Sequence, residues 1–82
     1  MSIGSSSLTT EPVVDARGLK CPLPVLKAET ALARLAPGAT LVVLATDPLA
    51  KVDIPLLCRQ AGHDVTLAED GGTLNFTIVK AR

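Results

Sequence analysis

Val13-Val14-Asp15-Ala16-Arg17-Gly18-Leu19-Lys20-Cys21-Pro22-Leu23-Pro24 is the stretch that decides the fold. Its first residues, from Pro12 to Ala16, form a short β-type run that the Arg17-Gly18 turn signal ends. Pro22 and Pro24 mark the start of a helix, because proline has no backbone N–H to lose in a first helical turn and its φ is already near the helical value. Cys21 is therefore expected at the N-cap. There its side chain faces unpaired N–H groups and the positive end of the helix dipole, which stabilise an anion. Helices are capped well by Ser, Thr, Asp and Asn, so stability alone gives little reason for a thiol at this position. The position reads as chemistry.

Downstream, Val25, Ala28, Leu32 and Leu35 recur at helical spacing, and Pro37-Gly38 stops the helix. Ala39 to Ala45 is a nearly unbroken apolar run, read as the most buried strand. Thr46-Asp47-Pro48 is a turn and cap signal, and Asp53-Ile54-Pro55 repeats the cap-like pattern, which sets the regular start of a second helix near Val52. Ile54, Leu57, Cys58 and Ala61 share one face of that helix, and Gly62 ends it. His63 to Glu69 reads as a strand, Asp70-Gly71-Gly72 as a hairpin turn, and Thr73 to Lys80 as a final strand with Leu74, Phe76 and Ile78 on its packed face. The order β-α-β-α-β-β, with right-handed crossovers and one polar sheet face, specifies an α/β (α+β) two-layer sandwich: two helices packed on one face of a four-stranded mixed sheet.

Composition narrows the function. With 82 residues there is room for one domain, read as 12–82 behind a disordered Ser/Thr-rich tail, 1–11. Eight Lys and Arg balance eight Asp and Glu, and a single Phe is the whole aromatic content, so direct nucleic-acid binding by a basic, stacking surface is disfavoured. The longest apolar run, Leu41 to Ala45, is far short of the ~20 residues a membrane helix needs. The opening residues do not read as a secretion signal, and with a reactive thiol this suggests a reducing cytoplasm.

Of the two cysteines, Cys21 is the candidate reactive thiol, expected below the usual ~8.5 because of the helix terminus and nearby cations. Arg17 and Lys20 are candidates for steering an anionic partner, and Gly18, Pro22 and Pro24 shape the loop. Cys58, on the apolar helix face, reads as packing, and Asp47 and Asp53 as helix caps. His63 is the one histidine that could serve a cysteine nucleophile, and sequence leaves open whether it approaches Cys21. Neither cysteine has metal-ligand spacing, and no glycine-rich nucleotide fingerprint is present, so no metal and no cofactor is expected.

Asp15-Ala16-Arg17-Gly18-Leu19-Lys20-Cys21-Pro22-Leu23-Pro24 closely resembles the signature of the TusA/SirA-like small sulfur carriers, whose core is Cys-Pro-x-Pro. Leu35 to Gly38, Ala45-Thr46-Asp47-Pro48, and Asp53-Ile54-Pro55 through Cys58 to Gly62-His63 are similar to family segments in the same order. The resemblance implies the same two-layer fold and a persulfide-carrying cysteine at Cys21. It further implies loading by a cysteine desulfurase or rhodanese-like donor and delivery to a downstream sulfurtransferase, in transfer-RNA thiolation, sulfur oxidation or related sulfur or selenium traffic. Leu23 stands where the tRNA-thiolating members carry an acidic residue, a difference that bears on the partner set. Two other functions fit the residues: a non-catalytic interaction or regulatory domain in which Cys21 only caps a helix, and a thiol redox protein using Cys21 and Cys58. The free chain is expected to be a monomer.

Overall fold

The computed structural model describes residues 12–81. The expected tail, 1–11, and the last residue of the expected domain lie outside the described residues. Strand β1 (Val13–Ala16) leads to helix α1 (Leu23–Ala33), β2 (Thr40–Ala45), helix α2 (Ala50–Ala61), β3 (Asp64–Asp70) and β4 (Thr73–Val79). The sheet runs β1-β2-β4-β3, with β1 and β2 parallel and the other pairs antiparallel. Strand β4 thus enters between β2 and β3. Both crossovers, β1 to β2 and β2 to β3, move across the sheet in the same direction, and right-handed crossovers of that kind set both helices on one face. This is the two-layer α+β sandwich expected from the element order.

The register explains the core. Val43 lies between Val14 and Phe76, Leu41 beside Ile78, and Ala45 between Ala16 and Leu74, so one sheet face is continuously apolar. Helix α1 lays Pro24, Ala28 and Leu32 on it, and α2 lays Ala50, Ile54 and Cys58, both with the i, i+4, i+8 spacing of one helical stripe. Burying each Leu, Ile or Phe stabilises by roughly 1.5–3 kcal/mol, and alanines at 16, 28, 45 and 50, all wholly or almost wholly buried, let backbones approach. Cys58 is 0% exposed within this cluster, in keeping with its reading as a packing residue.

Strand β2 is the most buried of the four, as read, and two boundaries are corrected. The run over β2 alternates: Leu41, Val43 and Ala45 are buried but Val42 and Leu44 are only half-buried, because the second layer covers one face of the sheet. Strand β3 extends to Asp70, since Gly71 and Gly72 alone make the two-residue hairpin with φ of 57° and 87°, the positive values a type I′ turn requires. Helix α2 begins at Ala50, entered through a tight turn in which Ala50, Lys51 and Val52 N–H groups bond back three residues. Asp53 therefore lies inside the helix and caps nothing. Pro55 sits in the second turn, where it withholds one donor from the Lys51 carbonyl.

At the far end of α1, the Lys80 ammonium donates to the carbonyls of Leu32 and Leu35 at 2.7 and 2.6 Å. The Leu32 carbonyl also accepts the Leu35 N–H at 3.1 Å, and a cation at this helix C-terminus is favoured by the dipole. Nearby, His63 Nδ1 accepts the Ala81 N–H at 2.8 Å, and the His63 N–H closes α2 by bonding to the Cys58 carbonyl at 2.8 Å. No helix among the described residues is long and apolar enough to cross a membrane. Lys80→Ala should lower stability by about 1–2 kcal/mol, the usual worth of charge-assisted hydrogen bonds, and denaturant melts measure it; an unchanged midpoint contradicts this role.

Candidate functional site

Ala16 and Ala45 are paired at the ends of parallel β1 and β2, so the loops that follow leave the same sheet edge side by side. The β1–α1 loop turns at Gly18, whose φ of 80° suits glycine, and its N–H donates to Thr46 Oγ1 at 2.9 Å. Asp47 makes the second tie. Its Oδ2 accepts the Cys21 N–H at 2.8 Å while its Oδ1 accepts the Leu49 N–H at 2.9 Å, an Asx-type turn that also clasps the neighbouring loop. Those two N–H groups, with help from Lys20, hold the Asp47 carboxyl below its ordinary range.

Cys21 is half-buried, and the N-cap of α1 is Pro22, one residue on. The Cys21–Pro22 peptide bond is cis. The thiol donates to Asp53 Oδ2 of α2. This arrangement reverses the expected acidity. The Asp53 carboxylate accepts the S–H hydrogen bond, partial burial adds to it, and the negative charges of Asp53 and Asp47 oppose a thiolate, so the Cys21 thiol is pushed up to about 11. The α1 terminus does not supply the anion-stabilising environment foreseen for Cys21, because the sulfur points across to the other helix.

The other candidates are placed as follows. Arg17 is engaged by Asp15, with Nε and Nη2 each 2.8 Å from a carboxylate oxygen; that guanidinium holds the Asp15 carboxyl down at about 2. Lys20 is exposed in the loop, on the Asp47 side. Pro22 is exposed at the start of α1, whereas Pro24 is buried against the sheet. His63 stands at the opposite end of α2, ten residues beyond Asp53, about 15 Å along a helix axis at 1.5 Å per residue. It is not brought to Cys21. Cys58 also stays apart, with burial pushing its thiol up. Among the described residues, no three His, Cys, Asp or Glu side chains gather where they could hold a metal ion.

Asp53 is the residue that sequence reasoning missed as a partner of Cys21. The available signal was its position: it precedes the buried Ile54 and lies four residues before half-buried Leu57, on the flank of α2 that turns toward α1. A shallow groove there is lined by Pro22, Val25, Glu29, Asp53 and Leu56. Alkylation of Cys21 by a neutral reagent, followed by peptide mass, should show a midpoint near 11 and slow reaction at pH 7; a midpoint at or below that of a free thiol contradicts the Asp53 contact.

Residues 13–80 match the family described as Sulfurtransferase TusA. The chain is 41% identical over 76 residues to the sulfur carrier protein TusA of Pseudomonas putida strain GB-1, covering 92% of this chain and 95% of that one. It is likewise 41% identical over 73 residues to TusA of Pseudomonas aeruginosa strain LESB58, covering 88% and 92% of the two chains. The crystal structure of a SirA-like protein from Desulfitobacterium hafniense superposes with a TM-score of 0.77 at 28% identity, over 85% of this chain and 97% of that one. With the fold, the Cys-Pro-x-Pro segment and this likeness in agreement, the chain belongs to the TusA sulfurtransferase family.

Proposed function

We propose that this protein is a sulfur carrier that accepts sulfane sulfur as a persulfide on Cys21 and relays it from a donor protein to an acceptor protein. The observation that carries this reading is the setting of the thiol. Cys21 is half-buried at the rim of two loops, next to a shallow groove, and apolar side chains stand out around it: Leu23, Leu49, Val52 and Leu56 are 45–63% exposed. Such a rim suits docking against another protein surface, and sulfur exchange by attack of one sulfur on another needs access more than an enclosing pocket. A cysteine desulfurase or rhodanese-like protein fits as donor and a downstream sulfurtransferase as acceptor, with transfer-RNA thiolation or sulfur oxidation as destinations. Arg17, Gly18, Lys20, Pro22 and Pro24 support the reading by shaping or bordering the loop that presents the thiol. A single domain over 12–82 working in a reducing cytoplasm suits a free thiol.

A redox role for the two cysteines has less support, because Cys58 is wholly buried on the sheet-facing side of α2 while the Cys21 sulfur faces Asp53. Incubated with a cysteine desulfurase and cysteine, the protein should gain the mass of one sulfur atom on Cys21. Cys21→Ser should fold and take up none. Cys58→Ala should load normally while losing about 1 kcal/mol of stability, from a small void and lost apolar contact. Sulfur mapped to Cys58, or undiminished loading of Cys21→Ser, overturns the assignment.

A further inference from the structure

Asp53 is half-buried inside α2, caps no helix, and its carboxylate is spent on one partner, the Cys21 thiol. Its aim is held from both sides. Helix α2 is anchored through Ala50, Ile54 and Cys58 in the core, and the Cys21 backbone is pinned by Asp47, so sulfur and carboxylate meet between two fixed elements. The charges around them are lopsided. The β1–α1 loop offers Lys20, which lies on the Asp47 side; α1 offers Glu29 across the groove; the β2–α2 loop offers Asp47 itself. Arg17 and Lys51 are taken by Asp15 and Glu69.

We infer that Asp53 is a positioning residue that distinguishes the two states of the carrier, holding the unloaded Cys21 thiol as a hydrogen-bond donor and releasing the loaded persulfide by charge repulsion. This deepens the proposed function and rests on it. A persulfide is more acidic than the parent thiol and is ionised at neutral pH, so it has no proton to give Asp53 and meets two carboxylates instead. The thiol is docked and quiet; the persulfide is turned outward toward a partner.

The transfer step balances. As Cys21 Sγ attacks the terminal sulfur of the donor's persulfide in its protonated form, R–S–SH, the thiol proton passes to the Asp53 carboxylate and the terminal sulfur keeps its own. The new S–S bond forms, the donor's S–S bond breaks, and its sulfur leaves as a thiolate that takes the proton back from Asp53. One S–S bond replaces another, with no net oxidation. The Cys21 persulfide then loses its proton to solvent and separates from Asp53.

The test compares pH–rate profiles for iodoacetamide alkylation of Cys21 in the wild-type protein and Asp53→Asn, with far-UV circular dichroism confirming the fold. The midpoint should fall by about one unit or more in the variant. Tenfold more thiolate, partly offset by lower nucleophilicity, then gives roughly threefold faster alkylation at pH 8. An unchanged or raised midpoint overturns the role of Asp53. In the unaltered protein, the Asp53 carboxyl carbon signal should move when the Cys21 thiol ionises and when Cys21 is loaded by a cysteine desulfurase, which keeps the test open if Asp53→Asn does not fold. A carboxyl signal indifferent to loading overturns the release. Failure of the wild-type protein to gain sulfur by intact mass, with the Asp53-dependent profile intact, counts instead against the persulfide reading and leaves only the thiol contact standing.

Discussion

Parallel pairing of β1 with β2, in register from Val13–Val42 to Ala16–Ala45, is the constraint on which the site depends. Because the strands end level, the loop carrying Cys21 and the loop carrying Asp47 leave the sheet together, near enough for side chains of one to bond the backbone of the other. The pairing is secured mainly by what lies beneath it, where Val14, Val43, Ala16 and Ala45 join the apolar face that the helices cover. Stability and site are thus products of one arrangement. The helices must sit over the core, and doing so brings the first turn of α1 against the flank of α2 that bears Asp53.

That geometry changes what the cysteine can do. A helix start invites the expectation of an acidified thiol, yet the carboxylate of Asp53 accepts the thiol's hydrogen bond directly, and that bond together with the negative charge raises the thiol instead. The resting thiol is held neutral. For a protein proposed to hand sulfur between specific partners, low intrinsic reactivity limits exchange with unrelated disulfides, since attack requires the thiolate.

The positive charges, by contrast, are placed for structure as much as for steering. Arg17 folds back on Asp15, Lys51 reaches Glu69 on the edge strand β3, and Lys80 closes the C-terminal end of α1. Lys20 remains exposed in the loop beside Cys21.

The element order, the inward faces of both helices and the burial of Cys58 were legible in the chain, because period-2 and period-3.6 patterns of apolar residues encode them locally. So was the place of Cys21 in the loop between the first strand and the first helix, through the prolines that follow it. Asp53 and Asp47 show where local reading stops. Both look like caps beside proline, but Asp47 bonds across to a loop 26 residues away and Asp53 to a thiol 32 residues away. Lys80 and His63 are further cases, since each meets its partner only after β4 has inserted between β2 and β3. A side chain's local preference depends on near neighbours in sequence, whereas acidity, pairing and orientation depend on neighbours in space. The chain by itself therefore determined which elements form and which cysteine is presented; the tertiary structure decided that its sulfur faces a carboxylate rather than a helix terminus, because electrostatic interactions follow distance and not sequence separation.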